Sequence, residues 1–473
     1  MKILKSLFLI IAFATYSSRA YATLNITIKD DNLSKTKILF IGFESNNYSI
    51  NNEAKQILQK IFYNLKTTNL VEVVRQDQIN QNQILQQKLS NSTNTLEENP
   101  QNNDSESFNQ NISQITNSVD INLVPDFNKY YNAGLEALVT AQFNYDIIGN
   151  LEIRIRMWDI LDRRQTFGKF YSSAPENYGK TANLISNEIY KSITGETIGH
   201  FDSQIVYTSE TGTFRKRIKK ISMIDFDGEN YRNLTDGSEM VLTPIFSKRR
   251  DEIYYLRYFQ GRPQIFSLNT KTLRSQKVGG FKGTTLAPNV NPKTPDRILL
   301  TAIEDGNSDI HELNISQNFA KKLTKSPAID TTASYSPDGN SFVFVSDREG
   351  SQQLYIMNIE TLSLNKISSG EGSYSKPMWS PDGRSIAFIK QKGGKFFVGA
   401  MNINGRAEKL LISAYLVEGA RWSKSGRYLI YSKKSTPYGL ESIPRIFIID
   451  IITGHEHQIQ TPPNEGATDP DWS

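Results

Sequence analysis

The chain carries few side chains suited to catalysis. It has 473 residues, with no cysteine and only four histidines. The missing cysteine excludes a thiol nucleophile, a Cys-ligated zinc site, an iron–sulfur cluster, a disulfide framework and a lipid-modified cysteine. A serine nucleophile on a strand-to-helix elbow would need Gly-x-Ser-x-Gly, which does not occur. His455-x-His457 has a spacing that could ligate a metal, but it lies between a strand and a Pro-rich turn and reads as a solvated hairpin. His311 falls within a strand, packed or surface-exposed, and His200 at a junction, where it reads as structural. Asp225-Phe226-Asp227-Gly228-Glu229 starts like a calcium loop yet lacks the further carboxylates of one; Asp-Gly between two strands reads first as a hairpin turn. Arg215-Lys216-Arg217, Lys219 and Lys220 form a basic run in a hairpin, read as a solvated loop, with an acidic partner or anionic headgroups as the alternative. Aromatics are not interleaved with it, as a platform for single-stranded nucleic acid requires. These residues give no expected catalytic, cofactor-binding or metal-binding site.

The elements that position these residues begin with a leader. Lys2 and Lys5 precede the apolar run Leu7 to Ala14, too short to span a bilayer, and Ala20-Tyr21-Ala22 supplies a small-x-small cleavage site. Residues 1–22 therefore read as a secretory signal peptide. The formal net charge of +5, from 54 Lys+Arg against 49 Asp+Glu, suggests nucleic acid or a membrane surface at first sight. Cleavage takes Lys2, Lys5 and Arg19 and no acidic residue, which leaves +2 on a nearly balanced chain and removes that suggestion. No later stretch is long and apolar enough to cross a membrane. An exported chain of this size without disulfides fits a bacterial periplasm better than an animal extracellular space.

Residues 23–199 read as an α/β domain. Lys37 to Phe43 and Val71 to Val74 have strand length. Between them Ala54, Ile57, Leu58, Ile61, Phe62 and Leu65 recur at helical spacing, with Asn51 or Asn52 as N-cap. Near residues 80–120 the composition turns to Asn, Gln, Ser and acidic residues, which cannot bury enough apolar surface to offset chain entropy; a disordered insertion is expected there. Ala137 to Tyr145, Leu151 to Asp159 and Thr166 to Tyr171 read as strands, and Tyr178 to Ile193 as a closing helix.

Residues 200–473 repeat. A small residue or Pro, any residue, an aromatic and Ser recur as Pro244-Ile245-Phe246-Ser247, Ala333-Ser334-Tyr335-Ser336, Pro377-Met378-Trp379-Ser380, Ala420-Arg421-Trp422-Ser423 and Pro470-Asp471-Trp472-Ser473, with Pro288-Asn289-Val290-Asn291 as a degenerate copy. The spacings are 44, 45, 44, 43 and 50 residues, and three of the four tryptophans share one repeat position. Ser336-Pro337-Asp338-Gly339 and Ser380-Pro381-Asp382-Gly383 have tight-turn chemistry, and strands follow each turn. Four strands per roughly 45 residues, six times over, predict a six-bladed β-propeller of four-stranded blades. The first propeller strand, Gln204 to Thr208, lacks a preceding aromatic-Ser strand, and the last aromatic-Ser strand lacks followers. Pro470 to Ser473 should therefore pair beside Ile205 to Thr208 and close the ring, which removes exposed edges.

A cleavable leader, an α/β domain, six repeats with Ser-Pro-Asp-Gly turns and the junction Ser192-Ile193-Thr194-Gly195-Glu196-Thr197-Ile198-Gly199-His200-Phe201 together resemble the TolB family, the periplasmic component of the Tol-Pal system. The polar insertion is a departure from the family's pattern, as are the degenerate turns Ser247-Lys248-Arg249-Arg250 and Asn291-Pro292-Lys293-Thr294. The resemblance implies a monomeric, non-enzymatic scaffold without cofactor. It would link the outer-membrane lipoprotein Pal, and other envelope proteins, to inner-membrane TolA, in support of outer-membrane invagination at cell division and of envelope integrity. The family engages TolA through its mature N-terminus, here residues 23–33, where Leu24, Ile26 and Ile28 alternate with polar residues. The family engages Pal at the propeller mouth, where the matching loop residues are Thr284, Ala287, Asp330, Thr331, Ser375, Lys376, Glu418 and Gly419. The alternative from the residues alone is a secreted propeller enzyme or a ligand-binding propeller.

Overall fold

The structure is a computed structural model that describes residues 34–43, 48–74, 120–213, 216–249, 251–279, 284–438 and 442–473. The leader, Leu24, Ile26 and Ile28, and almost all of the polar insertion lie outside the described residues.

The N-terminal part is a five-stranded sheet in the order β2-β1-β3-β4-β5, from β1 (Thr36–Ile41), β2 (Val71–Val74), β3 (Ala137–Tyr145), β4 (Leu151–Asp159) and β5 (Arg164–Ser173). β1 runs parallel to β2 and β3, and β3, β4 and β5 form an antiparallel meander. The parallel β1–β2 pair needs a crossover, which α1 (Tyr48–Thr68) provides. Asn51 and Asn52 therefore lie inside the first turns of α1 rather than capping it; the helix starts earlier because Ile50 already buries its side chain in the core. A short helix without a sequence signal, α2 (Phe127–Asn132), is capped by Asp126, which accepts from Asn128 N and Lys129 N. The closing helix α3 (Tyr178–Thr194) ends at Gly195, whose φ of +73° suits a residue without Cβ. The apolar stripe Ile57, Leu58 and Ile61 of α1 meets Ile185 and Ile189 of α3 over one face of the sheet. Asn64 links the helices by donating to Asn183 Oδ1 (2.8 Å) and Ser186 Oγ (3.0 Å).

The repeats form six four-stranded antiparallel blades. Blade 1 contains β6 (Gln204–Thr213), β7 (Lys216–Asp225) and β8 (Arg232–Asn233); blade 2, β9 (Val241–Phe246), β10 (Glu252–Phe259), β11 (Arg262–Asn269) and β12 (Ser275–Lys277); blade 3, β13 (Thr284–Val290), β14 (Arg297–Glu304), β15 (Asn307–Asn314) and β16 (Phe319–Lys322). Blade 4 contains β17 (Asp330–Tyr335), β18 (Ser341–Ser346), β19 (Gln353–Asn358) and β20 (Leu364–Lys366); blade 5, β21 (Ser373–Trp379), β22 (Ser385–Lys392), β23 (Lys395–Asn402) and β24 (Lys409–Ala414); blade 6, β25 (Leu416–Trp422), β26 (Tyr428–Lys434), β27 (Arg445–Asp450) and β28 (Glu456–Gln458). The last strand, β29 (Gly466–Trp472), pairs with β6 as the first strand of blade 1, with Asp471 opposite Val206 and Trp472 opposite Ile205. The ring closes as the repeat arithmetic requires.

A blade has two apolar faces and buries both only against neighbours. Each consecutive pair of blades accordingly shares one apolar cluster, as where Val343 and Val345 of blade 4 meet Tyr374, Ile386 and Phe388 of blade 5. The Ser-Pro-Asp-Gly turns work as their chemistry predicts: Ser336 Oγ accepts from Ser341 N, Asp338 accepts from Asn340 N, and Gly339 has φ +75°. In the degenerate third blade Asn291 takes over, accepting from Lys293 N and Thr294 N.

The two parts meet along an aromatic seam, where Tyr190 of α3 packs with His200, Phe201 and Tyr428. Gly199 is required there, because a Cβ would lie 2.1 Å from Asn187 Oδ1, and Asn187 accepts from Phe201 N.

Candidate functional site

The first strand of each blade lines the central channel, and each breaks register at one point. The break falls at Thr243, Ala287, Thr332, Lys376, Gly419 and Asp469, each with φ between +47° and +69°. A left-handed residue in the middle of a strand is a bulge that re-aims the next side chain. Five of the six are not glycine, and each of those holds an unfavourable backbone conformation costing about 1 kcal/mol. Repetition of that strain around a ring marks the channel as the place where the fold is over-determined.

These six residues surround a cavity of about 290 Å³. Its wall is largely apolar, with Leu242, Leu256, Leu286, Ala333, Met378 and Ala420, and its charged groups are Lys376, Arg421 and Asp469. Lys376 of blade 5 reaches past blade 6 to Asp469 of blade 1, with Nζ 2.8 Å from Oδ1. Gly419 stands between them, and a Cβ there would meet Asp469 Cα at 3.2 Å. Burial disfavours the Asp469 carboxylate, but the Lys376 ammonium holds its pKa below the ordinary range. Burial and the charge of Asp469 push neighbouring Glu418 up. Asp471, whose carboxylate accepts from Phe246 N at 2.7 Å, is also pushed up by burial.

Of the mouth residues expected from sequence, the structure brings Ala287, Lys376 and Gly419 onto the cavity wall. Glu418 and Ser375 flank them on β25 and β21, and Thr284 begins β13; all three are half-buried. Thr331 turns its hydroxyl to Thr301 Oγ1 at 3.4 Å. Asp330 is not a surface residue: it is 0% exposed, and both its carboxylate oxygens accept from Arg348 Nη2, at 3.0 and 3.1 Å. It anchors the mouth from inside. The reading missed Thr243, Thr332, Arg421 and Asp469. The same repeat alignment, carried to the first and last copies, would have placed Thr243 and Asp469 on the wall.

The remaining candidates disperse. Asp227 and Glu229 pair with Lys60 of α1, at 2.5 and 2.7 Å, so the Asp-Gly turn serves the contact between the two parts. Arg217 and Lys219 lie on β7 of the expected β6–β7 hairpin rather than in a solvated loop, and both pair with Glu210; Arg215 lies outside the described residues. His457 is also not solvated: it turns against Phe226 in the seam, and burial pushes its pKa down to about 3. Burial, with His457 and Arg427 nearby, does the same to His200, again to about 3. His311 is buried in β15. Among the described residues no group of three or more His, Asp or Glu is placed to hold a metal ion, and no helix is long and apolar enough to cross a membrane.

This architecture is matched among known proteins. TolB from Acinetobacter baumannii has the same fold, with a TM-score of 0.74 over 93% of this chain and 96% of that one, at 20% identity. A protein from Agrobacterium tumefaciens designated TolB aligns at a TM-score of 0.45, with 18% identity, over 58% of this chain and 99% of that one. An oligogalacturonate lyase from Vibrio parahaemolyticus aligns at 0.39, with 10% identity, over 54% and 79%. The family model of the TolB beta propeller domain matches residues 190–473, more than half of the chain. With its six closed blades and its N-terminal α/β part, this protein belongs to the TolB beta-propeller family.

Proposed function

We propose that the protein is a non-enzymatic periplasmic scaffold of the Tol-Pal system. It is exported by residues 1–22, binds Pal at the propeller mouth and binds TolA through residues 23–33, and so supports outer-membrane invagination at division and envelope integrity. The observation that carries this reading is the family's propeller, closed around one largely apolar cavity of about 290 Å³ with a small charged cluster on its wall. An apolar recess with a few placed polar groups suits capture of a protein loop. The histidines support a role without chemistry, because His200 and His457 are spent in the seam.

Calorimetry with the purified mature chain and the soluble part of Pal tests the mouth. Ala287→Glu, which fills the cavity with a charge, should weaken binding at least about tenfold, a loss of roughly 1.4 kcal/mol. Binding of Pal unchanged by that variant, or no binding by the parent chain, overturns the assignment. Removal of residues 23–33 should abolish TolA binding and leave Pal binding and the melting temperature unchanged.

A further inference from the structure

The β3–β4 hairpin ends in an apolar tip where turn chemistry calls for polar residues. Its turn is Asp146-Ile147-Ile148-Gly149, closed by Gly149 N donating to Asp146 O at 3.2 Å, with Gly149 at φ +87°. The Asp146 carboxylate fixes the turn, accepting from Ile148 N at 3.0 Å, from Asn150 N at 2.8 Å and from Asn150 Nδ2 at 3.1 Å. Ile147 and Ile148 take no part in the core: they are 103% and 78% exposed. Two neighbouring apolar side chains held in water on a fixed turn form a pre-organised tip, unlike a scattered surface residue. Carboxylates surround that end of the sheet. Glu152 follows on β4, Glu53 accepts from the Tyr145 hydroxyl at 2.8 Å, and Glu176 follows Ser173, which pairs with Leu151. The segments that meet there, residues 48–54, 144–153 and 172–179, contain no Lys or Arg. Such a tip is repelled by an anionic bilayer and suited to an apolar surface that carries cations.

The same domain carries the complement. Helices α1 and α3 cover one face of the sheet and contact the propeller, Lys60 at Asp227 and Tyr190 at Tyr428. On the opposite face α2 covers only part, where Phe127 packs against Trp158. Over β4 and β5 that face opens into a groove of about 540 Å³, bounded by Ile121, Asn122, Arg154, Arg156, Gly168 and Phe170. Arg154 and Arg156 stand two residues apart on one strand, thus on one face and ~6.6 Å apart. The ion pairs of β4 and β5 join Arg164 to Asp159 and Asp162, and Lys169 to Glu188. Among the described residues none reaches Arg154 or Arg156. Phe170, and Leu123 and Val124 next to the groove wall, are each more than half exposed. Unneutralised guanidiniums beside exposed apolar side chains suit an apolar tip with a collar of carboxylates. Six residues, ~20 Å of extended chain, separate Ile148 from Arg154. A two-fold axis between tip and groove satisfies both contacts at once and closes the assembly, whereas a one-way contact propagates.

We propose that two copies of this chain associate about a two-fold axis, each seating its Ile147-Ile148 tip on Phe170, Leu123 and Val124 of the other, with Arg154 and Arg156 facing the other copy's carboxylates. The α/β part is then a self-association module on the side away from the propeller, in place of the monomer that the family resemblance implies. This association does not depend on what the propeller binds.

Sedimentation equilibrium of the full mature chain tests the association. A contact of this size is transient by the standards of stable interfaces. The mean mass should therefore rise with concentration from one chain toward two and no further, and should fall again in high salt, which screens exposed charges. Ile147→Asn with Ile148→Asn, and separately Arg154→Glu with Arg156→Glu, should each weaken association at least about tenfold. Neither pair should change the melting temperature, because none of the four side chains is buried. Mixing the two variants should recover part of the association, since one intact tip then meets one intact groove. In a chain without native cysteine, Gly168→Cys places a single thiol in the groove, where its Cβ meets the movable Gln165 amide at 2.9 Å. Maleimide labelling there should slow as chain concentration rises, and should not slow when Ile147→Asn and Ile148→Asn are also present. A chain that stays monomeric up to about 1 mM, or association that neither double variant weakens, overturns the proposal. So does a tip that binds phosphatidylglycerol vesicles in place of a second copy.

Discussion

Ala287 shows how strain and function meet at single residues. Its φ of +50° is a glycine conformation held by a residue with a Cβ. Ala287→Gly should therefore raise stability by about 1 kcal/mol, measured by urea denaturation. A fall would show that the Cβ contributes packing that outweighs the strain. The pair Lys376–Asp469 shows what one sequence position conceals. Residues 93 apart face each other because Gly419 leaves the gap open. The repeat alignment singled out Lys376 and Gly419, and both line the cavity. It could not give their pairing, because contact across a ring depends on blade order and tilt rather than on spacing. Asp330 was misplaced for a related reason: a loop carboxylate reads as solvated until an arginine such as Arg348 turns inward to meet it.

Strand β29 carries the closure. Trp472 is buried against blade 6 and donates its indole N–H to Trp422 O at 2.8 Å, while Trp422 donates in turn to Met378 O at 3.0 Å. Two of the three tryptophans at one repeat position thus lace successive inner strands together, whereas Trp379 donates to Gly383 O within its own blade. The residue before each aromatic, of any type by sequence, also has a job in three blades. Asn289 accepts from Tyr335 N, Ser334 from Trp379 N and Asp471 from Phe246 N, each across a blade boundary. This lacing was invisible in the repeat because the partner lies in the following copy. Trp472→Ala should cost about 3 kcal/mol, and removal of residues 470–473 should lower the melting temperature of the whole propeller. A truncated chain that melts like the parent would show that the ring is held without its closing strand.

For the whole molecule, the seam couples α3 to blades 1 and 6 through two neutral histidines, buried His200 and half-buried His457. The folded pKa values of His200 and His457 are both about 3, whereas an unfolded histidine titrates near 6.5. The unfolded chain therefore binds more protons below pH 6.5, and stability falls as pH drops through that value and continues to fall toward 3. By pH 5 each histidine should cost about 2 kcal/mol relative to pH 8. Urea denaturation of the parent and of His200→Phe at both pH values measures this. The variant should lose roughly half of the histidine contribution, and an unchanged pH slope would show that the seam does not hold His200 neutral.

Local chemistry let the sequence alone determine the six blades, the closing strand, and the strands and two long helices of the α/β part. Period-two and period-3.6 burial, proline-glycine turns and a repeat length all act over a few residues, so they survive in a linear string. Only the tertiary structure decided which of the expected residues line the cavity, that Asp330 is an internal anchor, that His457 packs half-buried in the seam, and that Arg154 and Arg156 stand without a carboxylate partner among the described residues. Each of those depends on what comes near from a distant part of the chain, and burial or charge neutralisation at such a contact is a property of the pair that neither residue carries by itself.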